Sequence, residues 1–152
     1  MKPYTVAVEI DLPREEVIRK FENVDDLYHW QNGLQSVTHI SGEPGQPGSK
    51  TQLVYIQGKN RIELLETIVR NDLPDSFDGF YSWDSGENSL ENRFVELGPN
   101  RTRWESTCTY QLKSIMMKLM GLLFRGKFIS QNQMFLDNFK AFCETGASVK
   151  GQ

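Results

Sequence analysis

Up to Leu112 the apolar residues mostly alternate with polar ones in short runs, and beyond it they recur with a helical period. Tyr4, Val6, Val8 and Ile10 share one face of a first strand, Tyr4 to Asp11. Leu12–Pro13 stops it, and Pro13 suits the first turn of a short helix whose apolar side is Val17, Ile18 and Phe21. A second short helix fits Val24 to Trp30, with Asp25 and Asp26 near its N-terminus, and Gly33 ends it. Six further strands are predicted: Gln35–Ser41, Lys50–Gln57, Arg61–Arg70, Ser76–Asp84, Ser89–Leu97 and Arg101–Leu112. Short Gly-, Pro-, Asn- and Asp-rich turns separate them, the pattern of an antiparallel meander.

The last segment, Leu112 to Glu144, reads as one long amphipathic helix. At about 100° per residue, Phe124, Phe128, Phe135, Phe139 and Phe142 fall in one arc, so something large must cover them. The strand-rich chain before them is the only candidate. A meander of seven strands twists, and wrapped around such a helix it leaves room for a cavity. The fold class is therefore α+β: a curved seven-stranded antiparallel sheet around a long C-terminal helix, with two short helices between strands 1 and 2. Residues 1–146 are expected to form one domain and 147–152 a disordered tail.

Composition narrows the partners. Of the 152 residues 38% are hydrophobic and 24% charged, and the net charge is -3, which offers no general attraction to nucleic acid. No apolar run is long enough to span a bilayer, and Met1–Lys2–Pro3 leads directly into strand-like residues, so a cytoplasmic location is expected. Cys108 and Cys143 lack metal-binding spacing and are expected as reduced, buried thiols. His29 and His39 form no metal motif, and there is no phosphate loop or nucleophile elbow, so neither a metal nor a cofactor is expected.

Several local patterns, taken in order, resemble the START-related, pollen-allergen-like superfamily (SRPBCC, the helix-grip fold), in particular its polyketide cyclase/dehydrase-like members. They are Val6-Ala7-Val8-Glu9-Ile10 leading into Pro13-Arg14-Glu15-Glu16-Val17, then Trp30, then Gly45-Gln46-Pro47-Gly48-Ser49. Gly98-Pro99-Asn100-Arg101-Thr102-Arg103-Trp104 and Asn138-Phe139-Lys140 follow. The resemblance covers essentially the whole chain. It implies a ligand cavity, with activities ranging from lipid carriage to cyclisation.

Candidate wall residues follow from the faces. Trp104, Ser106, Cys108 and Tyr110 share the uncharged side of the last strand and should face the helix. Thr51, Leu53 and Tyr55, and Tyr81 and Trp83, should likewise point inward, joined by Trp30, Phe124, Phe128 and Phe135. Aromatics in these places either fill a core or line a pocket. Glu66 is the candidate acid, base or anchor, but both faces of its strand are mostly apolar with one carboxylate each, so the pattern does not say which is inside. Asn132 lies about 40° from Phe128, inside the phenylalanine arc, and needs a partner in a ligand, a water or a strand. Ile115 to Phe124 is apolar on all sides apart from Lys118 and Gly121; the alternatives are burial within the domain, a pocket lid or homodimer contact, and peripheral membrane contact, and Gly121 and Gly126 weaken the helix here enough for a kink or mobility. The expected function is binding or transport of a small hydrophobic, lipid-like or aromatic molecule. The alternative is a cofactor-independent cyclase or dehydratase using Glu66, Tyr55 or Asn132.

Overall fold

The computed structural model describes residues 1–152. Seven strands form one antiparallel sheet: β1 (Tyr4–Ile10), β2 (Leu34–Ser41), β3 (Lys50–Gln57), β4 (Asn60–Asp72), β5 (Ser76–Trp83), β6 (Gly86–Gly98) and β7 (Arg101–Leu112). Their order in space is β1-β7-β6-β5-β4-β3-β2, so the first and last strands in sequence are neighbours while β2 and β1 form the free edges. Between β1 and β2 lie α1 (Arg14–Glu22), a 3-10 turn at Val24–Asp26 and α2 (Leu27–Trp30). After β7 come α3 (Ile115–Leu123) and α4 (Arg125–Thr145). This is the expected helix-grip architecture.

Alternation explains the register. Val6 pairs with Ser106 and Val8 with Trp104, which stacks the inward residues of β1 and β7 on one face. Trp104, Ser106 and Cys108 are buried, whereas Arg103, Glu105 and Thr107 on the other face stay half-buried. Both cysteines are buried and free. Gly33 closes α2 and starts β2 with a φ of +84°, and a Cβ there would lie 2.4 Å from the Ile56 carbonyl oxygen. That close approach lets the Ile56 N–H donate to Gly33 O at 2.8 Å.

The C-terminal segment departs from the expectation of a single helix. Leu112 is the buried end of β7, and the helix breaks at Phe124, where the backbone (φ -110°, ψ 22°) leaves the helical region. The Phe124 N–H still closes α3 onto Met120 O, while Phe124 O accepts from the N–H groups of Lys127 and Phe128 to begin α4. Gly126 just beyond lowers the resistance to such a break. Residues 147–152, expected as a disordered tail, run back over α2: the Val149 N–H donates to His29 O at 3.0 Å, and His29 Nδ1 pairs with Ser148 Oγ.

The phenylalanine stripe is consequently uneven. Phe139 is fully buried, within 5.1 Å of the ring centres of both Trp30 and Trp104. Phe21 and Phe94 complete this cluster, their rings 4.9 Å apart. Phe124, by contrast, is 38% exposed. Phe139→Ala is expected to destabilise the protein by about 3–5 kcal/mol, and Phe124→Ala by about 0.5 kcal/mol or less. Equilibrium urea unfolding of both variants checks the contrast.

Candidate functional site

A cavity of about 1440 Å³ lies between the sheet and the N-terminal half of α4. The aromatic cluster packs the C-terminal half of α4 onto the sheet, through Leu136, Phe139 and Cys143. Toward the N-terminus Phe128, Asn132 and Phe135 face the open space instead. About half of the lining residues are hydrophobic. A shallower groove of about 610 Å³ lies beside it, sharing Gln57 and Gln131 as lining residues and running to Gly126, Lys127 and Ser130 at the start of α4.

Of the residues expected on the wall, Trp30, Thr51, Tyr55, Glu66, Tyr81, Trp83, Trp104, Ser106, Phe128, Asn132 and Phe135 all border the cavity. Phe124 does not, a correction that follows from the helix break: at the junction of α3 and α4 its ring points outward and lies under Lys127 Nζ at 4.9 Å. His29 stacks on Phe142, with ring centres 5.0 Å apart.

The open choice of face on β4 is resolved. Ile62, Leu64, Glu66 and Ile68 point inward, with Glu66 beside Thr51 of β3 and Tyr81 of β5 in register. The Tyr81 hydroxyl donates to Glu66 Oε2 at 2.7 Å. Burial pushes the Glu66 carboxyl above its ordinary value, and the bond from Tyr81 only partly offsets this. Tyr81 is raised in turn by burial and by the carboxylate it faces. Tyr55 on β3 donates to Gln31 Oε1 at 2.5 Å, and burial raises it above the normal phenol range.

Asn132 finds its partners in the protein. Its Nδ2 donates to the Tyr4 hydroxyl at 2.6 Å and lies 3.2 Å from both the Tyr110 hydroxyl and Cys108 Sγ. The misplaced amide thus ties α4 to β1 and β7 across one end of the cavity. Burial raises Tyr4 and Tyr110 and pushes the Cys108 thiol up to about 11, so it is not a ready nucleophile.

Sequence reasoning missed two asparagines. Asn88 and Asn92 alternate with Leu90 and Phe94 on the inner face of β6, and both asparagines are buried on the wall. Trp104 Nε1 donates to Asn92 Oδ1 at 3.0 Å. Asn88 Oδ1 and Trp30 Nε1 are buried and have no partner. The i, i+4 pair of amides beside Leu90 was the available signal, hidden because the strand was expected to start at Ser89 rather than Gly86.

An antiparallel sheet gripping a helix around such a cavity defines a helix-grip protein. No protein-family model matches the sequence, and no curated protein matches it. Solved structures do, over nearly the whole chain. TTHA0849 from Thermus thermophilus superimposes with a TM-score of 0.78 at 18% identity, covering 97% of this chain and 100% of that one. The Zhui aromatase/cyclase from Streptomyces sp. R1128 does so with a TM-score of 0.70 at 12% identity, over 97% and 99%. Ara h 8.0201 gives 0.68 at 12%, over 93% and 98%. The chain has the fold of the SRPBCC superfamily, the fold its sequence patterns resemble.

The raised Glu66 carboxyl has a consequence for stability. The folded state holds this proton more tightly than the unfolded chain, where the ordinary value is 4.5. Its contribution is therefore fully present below about pH 4.5 and is lost as the pH rises through the higher folded value. Glu66→Gln is expected to flatten the decline in thermal stability across that window, and melting curves of both proteins as a function of pH measure it.

Proposed function

We propose that the protein binds a small, largely hydrophobic molecule bearing hydrogen-bonding groups, held between the sheet and α4. The supporting observation is the cavity itself, larger than the roughly 300–1000 Å³ of ordinary small-molecule pockets, with Thr51, Glu66, Tyr81 and Ser106 among the polar residues of its wall. Aromatic rings from Tyr55, Trp83, Phe128 and Phe135 supply the apolar contact. No cofactor is required for such binding.

A second reading, cyclase- or dehydratase-like catalysis, is favoured by one observation: Tyr81 and Glu66 form a proton-sharing pair on the wall. Burial raises the proton affinity of the Glu66 carboxyl, which makes it the group on the wall suited to give or take a proton, and the cavity would orient a reactive chain against it. The fold shared with an aromatase/cyclase makes the chemistry worth assaying.

Native mass spectrometry of the protein purified from its own host is expected to reveal a bound hydrophobic molecule. All three tryptophans border the cavity, so a probe such as anilinonaphthalene sulfonate should change their emission on binding. Ser106→Phe fills buried space on the wall and should weaken the probe by about tenfold or more; an unchanged affinity would reject the cavity as the binding site. Glu66→Gln separates the two readings. Retained binding with loss of a turnover seen in the parent protein establishes catalysis, whereas binding without turnover in either establishes a carrier.

A further inference from the structure

The structure leaves α3 with almost no covering. At about 100° per residue, Leu122, Ile115, Leu119, Leu123, Met116 and Met120 succeed one another through an arc of about 160°. All six are between 45% and 86% exposed. The opposite side is anchored. Gly121 is buried, with Leu112 and Met1 within 3 Å of where a Cβ would sit, and Met117 borders the cavity. Ser114 Oγ accepts from the Met117 N–H at 3.0 Å and fixes the first turn. The exposed arc is therefore the outer face of an ordered helix.

Charge says what fits it. Lys113, Lys118, Arg125 and Lys127 lie within or directly beside α3 in the sequence, and no Asp or Glu occurs between Glu105 and Asp137, although the whole chain carries a net charge of -3. None of the four cations forms a salt bridge; Arg125 instead donates to Lys2 O and Pro3 O. Asp84 and Glu87 occupy the β5–β6 hairpin that Lys113 touches through Trp83 O, so the positive character rests mainly on Lys118, Arg125 and Lys127. A two-fold contact between copies would set these cations against their own copies. A convex apolar helix flanked by cations instead matches an anionic bilayer surface, with the apolar arc among the acyl chains and the lysines at the headgroups. At nine residues, α3 is far too short to span, and no helix in the chain is long and apolar enough to cross a membrane.

We propose that α3 docks the protein on anionic lipid bilayers. The location adds to the chemistry: Met117 of α3 and Phe128 of α4, on either side of the break, border the cavity, so docking through α3 sets that end of the cavity toward the lipid.

Co-sedimentation of the full-length protein with phosphatidylcholine vesicles, with and without phosphatidylserine, tests this. Binding is expected to the anionic vesicles only, and to weaken as salt is added. Lys118→Ala with Lys127→Ala should lower the partition coefficient by about twenty-five-fold, at roughly fivefold per charge. Leu119→Ser with Leu122→Ser should abolish binding, and because both positions are exposed the melting temperature should stay unchanged. Equal binding to neutral vesicles, or no binding to either kind, would overturn the proposal. So would a stable dimer in size-exclusion chromatography that the Leu119→Ser, Leu122→Ser variant converts to monomer, since the face would then belong to a second copy.

Discussion

The packing of Phe139 between Trp30 and Trp104 is the contact on which the rest of the molecule depends. It joins α4, α2 and β7 in one place, and Phe21 and Phe94 extend it to α1 and β6. Buried aromatic surface of this size dominates the energetics of a small core. The cluster sits at the C-terminal end of α4. Toward the other end Phe128, Asn132 and Phe135 border the cavity, and Asn132 and Gln133 still tie the helix to β1 and β7.

The cavity wall divides by chemistry as well as by position. On the β3–β5 side, Glu66, Tyr81 and Tyr55 are buried enough that their proton affinities all rise, and Tyr81 donates to Glu66. On the β1–β7 side, Tyr4, Tyr110 and Cys108 gather around Asn132. The first group places a carboxyl and two phenols on the wall. The second spends its hydrogen bonds on holding the helix, and so reads as structural.

Strand alternation made β7 and its inward Trp104, Ser106 and Cys108 legible, because charged residues fall only on the other face. The orientation of β4 was not legible, since each face carries one carboxylate among apolar residues; only pairing with Tyr81 across the sheet decides it. Asn88 was hidden by a strand boundary misplaced by a few residues, and the partners of Asn132 lie on strands remote in sequence. A kink between Gly121 and Gly126 was legible from the two glycines, but its place at Phe124 was not, because Phe124 keeps the helical phase of the stripe, and phase along a sequence records spacing rather than continuity. The resemblance to the helix-grip family supplied the fold but could not say which polar groups would be left unpartnered.

The edge of β1 is covered by side chains of α4. Gln133 Nε2 donates to Ala7 O at 2.9 Å, Lys140 Nζ to Glu9 O at 2.6 Å, and Glu144 Oε2 accepts from the Asp11 N–H at 2.8 Å. These side chains occupy groups that an exposed edge strand would otherwise offer to another chain. The same bonds fasten α4 along β1, so the contacts that hold the helix also guard that edge of the sheet against pairing with a foreign strand.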